Sequence, residues 1–214
     1  MKKNIAVVIG TRPGIVKMAM VYRACKKNPD FNVSLIYTGQ HYSANLKDVI
    51  WSAFDLPEPN FIITGIEDCA THATQISKMM IGCEKVFSEN DINTVLVCGD
   101  ANTNFAAGVA ARKLNLKLGH VESGLRSHDW SMPEEHNRVM LDHISDFLFA
   151  PTEKSMTCLK AESAFGEKIL TGNTVVDALK FVVDNDKHVK PSQFPEVKDF
   201  CLVTTHRQEN VDDP

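Results

Sequence analysis

Thr94-Val95-Leu96-Val97-Cys98 and Lys117-Leu118-Gly119-His120-Val121 decide the fold of this chain, because residues 102–114 between them have the pattern of a helix. Two apolar runs joined by a helix are typical of parallel strands, which need a long crossover connection. The alternation extends over the whole chain. Apolar runs at 5–9, 32–37, 94–98, 117–121, 146–150, 168–170 and 200–204 alternate with helical patterns at 15–27, 71–88, 102–114, 133–145, 152–161 and 173–186. This pattern predicts an α/β fold with a doubly wound, Rossmann-like parallel sheet.

The domain organisation is predicted from the length and from the last part of the chain. A chain of 214 residues is long for one domain and short for two. We predict one lobe over residues 1–187 and a linker over 188–199, which contains Pro191 and Pro195 and has little periodicity. Residues 200–214 hold one apolar run and a polar tail, which cannot form a core alone. They therefore predict the beginning of an incomplete second lobe, so that the chain is expected to be a fragment.

Composition excludes several classes of protein. With 43% hydrophobic and 23% charged residues, the chain resembles an ordinary globular protein with a real core. Its net charge of -4 argues against a nucleic-acid partner, which Lys and Arg would have to neutralise. No apolar run reaches the roughly 18 residues of a membrane span, and no signal peptide is recognisable. The six cysteines form no C-x-x-C pair, which favours reduced thiols and a cytoplasmic location.

Acidic residues follow two neighbouring strands of the predicted sheet. Gly99-Asp100 follows one apolar run, and Glu122 follows the next. Ligands of open parallel sheets bind beyond the carboxyl ends of the strands, where both side chains are expected. Asp100 has an alternative interpretation as a helix N-cap. Glu122 needs a partner or a function, because burying an unpaired carboxylate is costly.

The helix predicted from Pro133 adds more charge to the same edge. Glu134 and Arg138 are four residues apart and are expected to share a helical face, with Asp142 one turn further along it. One interpretation is an exposed ion pair worth roughly 0.2–0.5 kcal/mol. The other places Glu134 in the crevice, with Arg138 holding it or a phosphate. Spacing alone leaves both interpretations open.

A glycine-containing turn follows the first strand, and histidines are scattered along the chain. Residues 10–17 open a helix whose backbone N–H groups, with Arg12 and Lys17, could bind an anion. An ordinary tight turn would use the same glycines. His120, His136 and His143 lack the spacing of a zinc site, so no metal is expected.

These residues lie in motifs that resemble the non-hydrolysing UDP-N-acetylglucosamine 2-epimerase family. In chain order the motifs are GTRPGIVKMA, TGQHYS, GDANT, HVESGLRS, MPEEHNR, DH at 142–143, FAPTE, TGNTVVDA and VTTHRQENV. They run from the first strand to the end of the chain. The resemblance implies two Rossmann-like lobes in the glycosyltransferase-B arrangement, of which this chain holds the first and the start of the second.

The resemblance also implies a reaction and its catalytic residues. The expected reaction converts UDP-GlcNAc to UDP-ManNAc for polysaccharide synthesis, through elimination of UDP to 2-acetamidoglucal and re-addition to the other face. Carboxylates suit both the removal of the C2 proton and the positive charge that develops at C1. The catalytic set implied by motif position is Asp100, Glu122, Glu134, Arg138 and His206.

Other properties follow from the same resemblance. Arg12, Lys17, Asn173 and Arg207 are the expected substrate or UDP contacts, and Gln40 and His41 are expected to belong to an effector site. No metal or redox cofactor is implied. A homodimer through helices of the first lobe is expected, for which Ile76, Met79, Met80 and Cys83 are candidates, although their periodicity favours a core stripe.

The sequence departs from the family pattern at a few positions and leaves other functions open. Gly14 replaces a usual Glu, Ala101 a Thr, Met20 a Pro and Ser123 an Ala. A 2-epimerase of a related UDP-sugar, such as a 2,3-diacetamido uronic acid, would use the same elimination chemistry. A non-catalytic sugar-nucleotide-binding lobe is a further alternative, and a hydrolysing epimerase is less favoured by the motifs. The 214-residue chain alone is expected to be inactive and to bind UDP weakly.

Overall fold

A computed structural model describes residues 2–40, 44–185, 201 and 203, with the side chains of 44–48 left out of the description. In this part of the chain a seven-stranded parallel sheet forms in the order β3-β2-β1-β4-β5-β6-β7. The strands are β1 (Lys3–Ile9), β2 (Phe31–Tyr37), β3 (Phe61–Ile62), β4 (Thr94–Cys98), β5 (Lys117–Val121), β6 (Phe147–Ala150) and β7 (Glu167–Leu170). The helices are α1 (Arg12–Lys27), α2 (Ala44–Ala53), α3 (His72–Glu89), α4 (Asn102–Lys113), α5 (Pro133–Ile144), α6 (Glu153–Ala161) and α7 (Thr174–Asp184).

The strand order reverses between β1 and β4. The chain adds β2 and β3 on one side of β1 and then returns to place β4 on the other side, with Ile5 beside Thr94 and Val7 beside Leu96. The loops that leave the carboxyl ends of β1 and β4 therefore diverge. Such a switch point opens the crevice in which doubly wound sheets bind ligands.

The core occupies both faces of the sheet. Val7 and Ile9 point to the face covered by α1, and Ala6 and Val8 point to the face covered by α3 and α4. This alternation within one strand confirms the predicted doubly wound fold. The stripe on α3 is part of this core: Met79 and Cys83 are buried in it and Ile76 and Met80 pack against it. Met79 and Cys83 are therefore core residues, as the periodicity of the stripe favoured.

Two elements differ from the sequence-based expectation. The helix α2 and the strand β3 were not predicted, because α2 follows a polar loop and β3 has only two residues and no usable periodicity. β3 forms through its pairing with β2, in which Ile36 lies beside Phe61. The predicted strand at 200–204, the linker and the second lobe fall on residues that the description omits, apart from residues 201 and 203. None of the described helices is both long and apolar enough to cross a membrane.

Candidate active site

A cavity of about 770 Å³ opens at the carboxyl ends of β1 and β4. Three segments supply most of its walls: the first turns of α1, the β4–α4 turn, and the loop that enters α5. They contribute Thr11, Pro13, Gly14 and Lys17, then Cys98, Asp100, Ala101, Asn102 and Asn104, and then Asp129, Ser131, Met132, Pro133, Glu134 and Arg138, with Gln40 and His72 beside them. The switch point therefore carries a polar cavity in which acidic and basic side chains meet.

Lys17 links α1 to the end of β5. Its ammonium group forms an ion pair with the Glu122 carboxylate, and both side chains are largely shielded from solvent. Burial disfavours the charge on Lys17, but the hydrogen bond and the attraction to Glu122 outweigh burial and raise the pKa of Lys17. Glu122 has a φ of 68°, in the left-handed region that a long side chain rarely adopts. The turn after β5 is thus held in a strained conformation that directs Glu122 toward Lys17.

Arg138 joins two carboxylates at the other wall of the cavity. Its guanidinium bonds the Asp100 carboxylate, and its Nη1 lies 3.0 Å from Glu135 Oε2. Glu135 also accepts hydrogen bonds from the backbone N–H groups of Ser127 (3.1 Å) and His128 (3.0 Å). Burial would raise the pKa of Glu135, but these N–H donors and Arg138 lower it below its usual value. Glu135 therefore orients both the entry loop of α5 and Arg138, a role that sequence reasoning missed.

Glu134 differs from the other carboxylates of the cavity. It lies in the first turn of α5, is exposed, and lines the cavity. Among the described residues it has no ion pair and no side-chain hydrogen bond, whereas Asp100 is paired with Arg138 and Glu122 with Lys17. The structure therefore does not form the predicted pair between Glu134 and Arg138. A carboxylate without a cationic partner can take up and release a proton without breaking an ion pair.

Amide side chains support the β4–α4 turn from behind. Asn137 Nδ2 donates to the Asp100 carbonyl oxygen (2.8 Å) and to Asn102 Oδ1 (3.2 Å). Gln40 Oε1 accepts from the backbone N–H (3.0 Å) and the hydroxyl (2.7 Å) of Thr103. The N-terminus of α4 is therefore fixed by side chains from α5 and from the loop after β2.

Asp142 lies elsewhere than the helical spacing predicted. It is fully buried under the cavity, where its carboxylate bonds His120 and Arg126. In an α-helix, a residue four positions further along is rotated by about 40° beyond a full turn. Asp142 lies eight positions after Glu134, so it is rotated by about 80° away from Glu134 and toward the sheet. Asp142 therefore does not share the face of Glu134, and the prediction that it does is wrong.

The remaining predicted site residues are placed as follows. Arg12 is half-buried and is not among the residues that line the cavity, although its neighbours Thr11 and Pro13 are. Asn173 is the exposed N-cap of α7, where its side chain accepts from the Val175 N–H. His41, His206 and Arg207 lie outside the described residues. Within the described part of the chain, no group of three His, Cys, Asp or Glu residues is arranged to hold a metal ion.

Most of the chain matches a known protein family. The profile of the family described as UDP-N-acetylglucosamine 2-epimerase matches residues 23–214. The chain belongs to this family. The resemblance drawn from the motifs along the sequence is thereby confirmed.

Individual epimerases agree with the family assignment. A UDP-N-acetylglucosamine 2-epimerase of Methanococcus maripaludis is 41% identical over 215 residues, which cover 98% of this chain and 57% of the relative. A UDP-2,3-diacetamido-2,3-dideoxy-D-glucuronate 2-epimerase of Pseudomonas aeruginosa is 33% identical, covering 99% of this chain and 59% of the relative. The chain thus spans somewhat more than half the length of these epimerases.

A solved epimerase shows the same fold with a nucleotide sugar bound. The crystal structure of Methanocaldococcus jannaschii UDP-GlcNAc 2-epimerase in complex with UDP-GlcNAc and UDP superimposes with a TM-score of 0.78 and 41% identity. The match covers 82% of this chain and 48% of that structure. The described fold therefore corresponds to about half of that epimerase, as expected for one lobe of a two-lobe enzyme.

Proposed function

We propose that this chain supplies the first lobe of an epimerase that interconverts UDP-GlcNAc and UDP-ManNAc. The observation that carries the proposal is the cavity lined by Asp100, Glu134 and Arg138. Lys17 lines it too and forms an ion pair with Glu122, which is not itself among the lining residues. Relatives that bear this activity share 41% of their residues with the chain over nearly its whole length. The proposed route is elimination of UDP to 2-acetamidoglucal and re-addition of UDP after protonation of the other face.

The charge arrangement suits this chemistry. The C2 proton of the sugar is only weakly acidic, so its removal has to accompany departure of UDP and the growth of positive charge at C1. Asp100 and Glu122 each form an ion pair with a cationic side chain, and their carboxylates are the groups that we assign to stabilising that positive charge. Glu134, which has no cationic partner among the described residues, is the carboxylate that we assign to proton transfer on one face of the sugar. Proton transfer on the opposite face requires a second acid or base from the proposed catalytic set.

Basic groups would meet the negative charge of the leaving UDP. Lys17 lies in the second turn of α1, whose N-terminus faces the cavity, and Arg12 lies one turn earlier. A helix N-terminus and an ammonium group both favour a phosphate. Asn173, His206 and Arg207 are proposed to contribute as well, since the family motifs include them among the substrate and catalytic residues. Gln40 and His41 are kept as a proposed effector site.

The proposal also covers the domain organisation, the oligomeric state, the cellular location and the cofactors of the protein. The division into a lobe at 1–187, a linker and the start of a second lobe is supported by coverage of 57% of the Methanococcus maripaludis relative. A homodimer, a cytoplasmic location and a role in polysaccharide synthesis follow from the family resemblance. We propose no metal or redox cofactor, because proton transfer and elimination need only the acids and bases named above.

Exchange of the C2 hydrogen in deuterated water tests the proposed reaction. The 214-residue chain alone is expected to leave UDP-GlcNAc unchanged. A chimera in which the second half of the Methanocaldococcus jannaschii epimerase replaces residues 200–214 should incorporate deuterium at C2 and form UDP-ManNAc, observed by proton NMR. Glu134→Gln in the chimera should lower this rate by about 100-fold or more, since a positioned acid or base contributes 10²–10⁴-fold. A chimera that binds UDP-GlcNAc but exchanges no C2 hydrogen would contradict the proposal.

The second candidate function is 2-epimerisation of a UDP-2,3-diacetamido uronic acid. The relative from Pseudomonas aeruginosa carries this name and is 33% identical to the chain. Its substrate differs at C3 and C6, whereas the chemistry at C1 and C2 is shared. Incubating the same chimera with each sugar nucleotide separates the two candidates by which C2 acquires deuterium.

A further inference from the structure

A buried histidine lies directly beneath the cavity. His120, in β5, is fully buried, with Nδ1 2.7 Å from Asp142 Oδ1 and Nε2 3.0 Å from the Gly99 carbonyl oxygen. A carbonyl oxygen and a carboxylate are both hydrogen-bond acceptors. Both ring nitrogens of His120 therefore donate, one to α5 and one to the residue that precedes Asp100.

The Asp142 carboxylate continues this connection on its other side. Its Oδ2 accepts from the Gly124 N–H (3.0 Å) and from Arg126 Nη1 (2.7 Å). Arg126 in turn makes two hydrogen bonds to the Glu162 carboxylate, at 2.7 and 2.6 Å. Gly124 lies two residues after Glu122, so that Asp142 is bonded to the turn that carries this acid. A single buried pair thus touches the backbone next to Asp100 and next to Glu122.

The two backbone segments that this pair holds need such support. Gly99 and Gly124 have φ values of 75° and 77°, and Glu122 itself has a φ of 68°. Residues in the left-handed region cost free energy and persist where the surroundings determine them. Gly99 also donates its N–H to the Val121 carbonyl oxygen (3.0 Å), which joins the two strand ends directly. The side chains of His120 and Asp142 add further hydrogen bonds to the two turns.

Stability alone does not account for this pair. Taking a histidine and a carboxylate out of water is costly, and apolar residues of similar volume are often as stabilising as a buried ion pair. Leu118, two residues earlier in β5, lies on the same face of the sheet and is an ordinary core residue. Polar groups at this depth therefore indicate that geometry is being specified at the expense of stability.

We propose that His120 and Asp142 are positioning residues that set the relative placement of Asp100 and Glu122. His120 holds the Gly99 carbonyl group, and Asp142 holds the Gly124 N–H group and orients the His120 ring. The role of the two positioned acids rests on the proposed function, but the positioning itself is a property of the fold. Neither residue touches the substrate.

Two substitutions of His120 separate its two hydrogen bonds. His120→Gln places an amide nitrogen near the position of Nε2 and can keep the bond to Gly99. His120→Asn places one near the position of Nδ1 and can keep only the bond to Asp142. Asp146→Asn is the matched control, because Asp146 bonds Arg112, Lys117 and the Leu118 N–H at the opposite end of the sheet.

The test measures amide hydrogen exchange by NMR in the 214-residue chain, without substrate. His120→Asn is expected to raise the exchange rate of the Gly99 amide, which bonds the Val121 carbonyl oxygen, by about tenfold after correction for any change in global stability, while His120→Gln stays within about threefold of wild type. Asp146→Asn should leave the exchange rate of the Gly99 amide unchanged on the same scale. The wild-type ring should show two protected N–H signals for His120. Equal local rates in both His120 variants, or a ring with a single N–H, would overturn the proposal.

Activity in the chimera gives an independent readout. His120→Asn should lower kcat by about 100-fold with little change in KM, because misplaced catalytic groups cost about that much. The kcat of His120→Gln should exceed that of His120→Asn by at least about tenfold. If the wild-type chimera shows no exchange at C2, the proposed function fails while the amide measurements still decide the positioning role.

A further variant covers the case in which His120→Asn does not fold. The amide introduced by Asp142→Asn has one carbonyl oxygen, which can accept from His120 or from Gly124 but cannot replace both carboxylate oxygens. Faster exchange at Gly124 or at Gly99 is then expected, and unchanged exchange at both would overturn the proposal.

Discussion

The two ends of the sheet use ion pairs in different ways. At the amino end, Asp146 accepts from Arg112 (2.9 Å) and Lys117 (2.8 Å), whose side chains are 36% and 62% exposed. At the carboxyl end, His120, Asp142 and the Arg126 side chain are 0%, 0% and 2% exposed. Water screens the first group and not the second. The carboxyl end thus carries charges that the fold would not need for stability alone.

The two ends of the sheet also differ in which residues adopt left-handed backbone conformations. The turns that lead into the amino ends of β4 and β5 contain Asp91 and Asn115 with φ values of 50° and 57°. Asp and Asn are the non-glycine residues that tolerate this region best. At the carboxyl end the corresponding residue is Glu122, with a φ of 68°. The turns before β4 and β5 thus place a well-suited Asp or Asn in this region, whereas the turn after β5 places a glutamate there.

The largest effect is expected from removing the buried carboxylate. Asp142→Ala leaves His120 Nδ1 and the Gly124 N–H without their acceptor and Arg126 with only one carboxylate. Breaking a buried ion pair costs about 3–5 kcal/mol, so a decrease of that size is expected in the free energy of unfolding. Urea denaturation followed by circular dichroism measures it.

Asp146→Ala is the matched variant at the amino end. Its cations remain hydrated after the substitution, so the expected loss is about 1–2 kcal/mol from exposed ion pairs and one backbone hydrogen bond. If both variants lost the same free energy, the distinction between the two ends would not hold.

The next effect concerns the backbone at Gly124. A Cβ atom added there would lie 2.4 Å from the Ser155 carbonyl oxygen, and the φ of 77° disfavours any side chain. Gly124→Ala therefore combines a steric clash with a left-handed residue, for an expected loss of about 2–4 kcal/mol. Gly172 is the control, because its φ is 81° and nothing lies within 4 Å of its added Cβ. Thermal unfolding should show only about 1–2 kcal/mol for Gly172→Ala. Similar losses at both glycines would show that the contact with Ser155 is unimportant.

Low pH should reduce stability at both ends of the sheet, and substitution of Asp142 or Asp146 shows which carboxylate is responsible at each end. Burial would raise the pKa of Asp142, but His120 and Arg126 lower it below 3.8. Burial would likewise raise the pKa of Asp146, but Lys117, the Leu118 N–H and Arg112 lower it. A lowered carboxylate pKa gives stability that is complete above the ordinary value near 4 and is lost as the pH falls through the folded value.

Local amide exchange between pH 5 and pH 2.5 measures this effect at each end. Protection of Gly124 should decline below about pH 4 in the wild type. Protection of Leu118, which bonds Asp146, should decline in the same range. Asp142→Asn should remove the acid dependence at Gly124 and leave that at Leu118, and Asp146→Asn should do the reverse. Loss of both dependences in one variant would mean that the two ends titrate as a unit.

The sequence predicted those parts of the molecule that depend on local patterns. Strands such as β1 and β5 are short apolar runs between helices, and this pattern was enough to predict a doubly wound sheet. The strand β3 could not be predicted because two residues carry no periodicity, and the pairing partner β2 is distant in the sequence. Motif resemblance brought Asp100 and Glu134 to one site, and the structure places both in the wall of one cavity.

Side-chain partners were harder to predict than positions. The helical spacing predicted that Glu134 and Arg138 could form an ion pair, whereas in the structure Arg138 forms ion pairs with Asp100 and Glu135. Such pairs depend on how α5 is rotated against the sheet, which no local pattern reports. One signal for His120 was present: a polar residue two positions after Leu118 in a buried strand has to find a partner. The identity of that partner, Asp142, required the tertiary structure.

The smallest effect is expected at Ser123, between Glu122 and Gly124. Ser123 is fully buried, and its hydroxyl oxygen has no hydrogen-bond partner among the described residues. Ser123→Ala removes this unpaired group and should raise the free energy of unfolding by about 1 kcal/mol, or the Tm by about 2–4 °C. Ser145 is the matched control, because it is equally buried and its hydroxyl donates to the Leu141 carbonyl oxygen at 2.7 Å. Ser145→Ala should lower stability by about 1 kcal/mol. If Ser123→Ala raises the free energy of unfolding and Ser145→Ala does not, the carboxyl end of the sheet contains a destabilising hydroxyl group that alanine would remove. If both substitutions lower the free energy of unfolding, the Ser123 hydroxyl contributes to the stability of the fold.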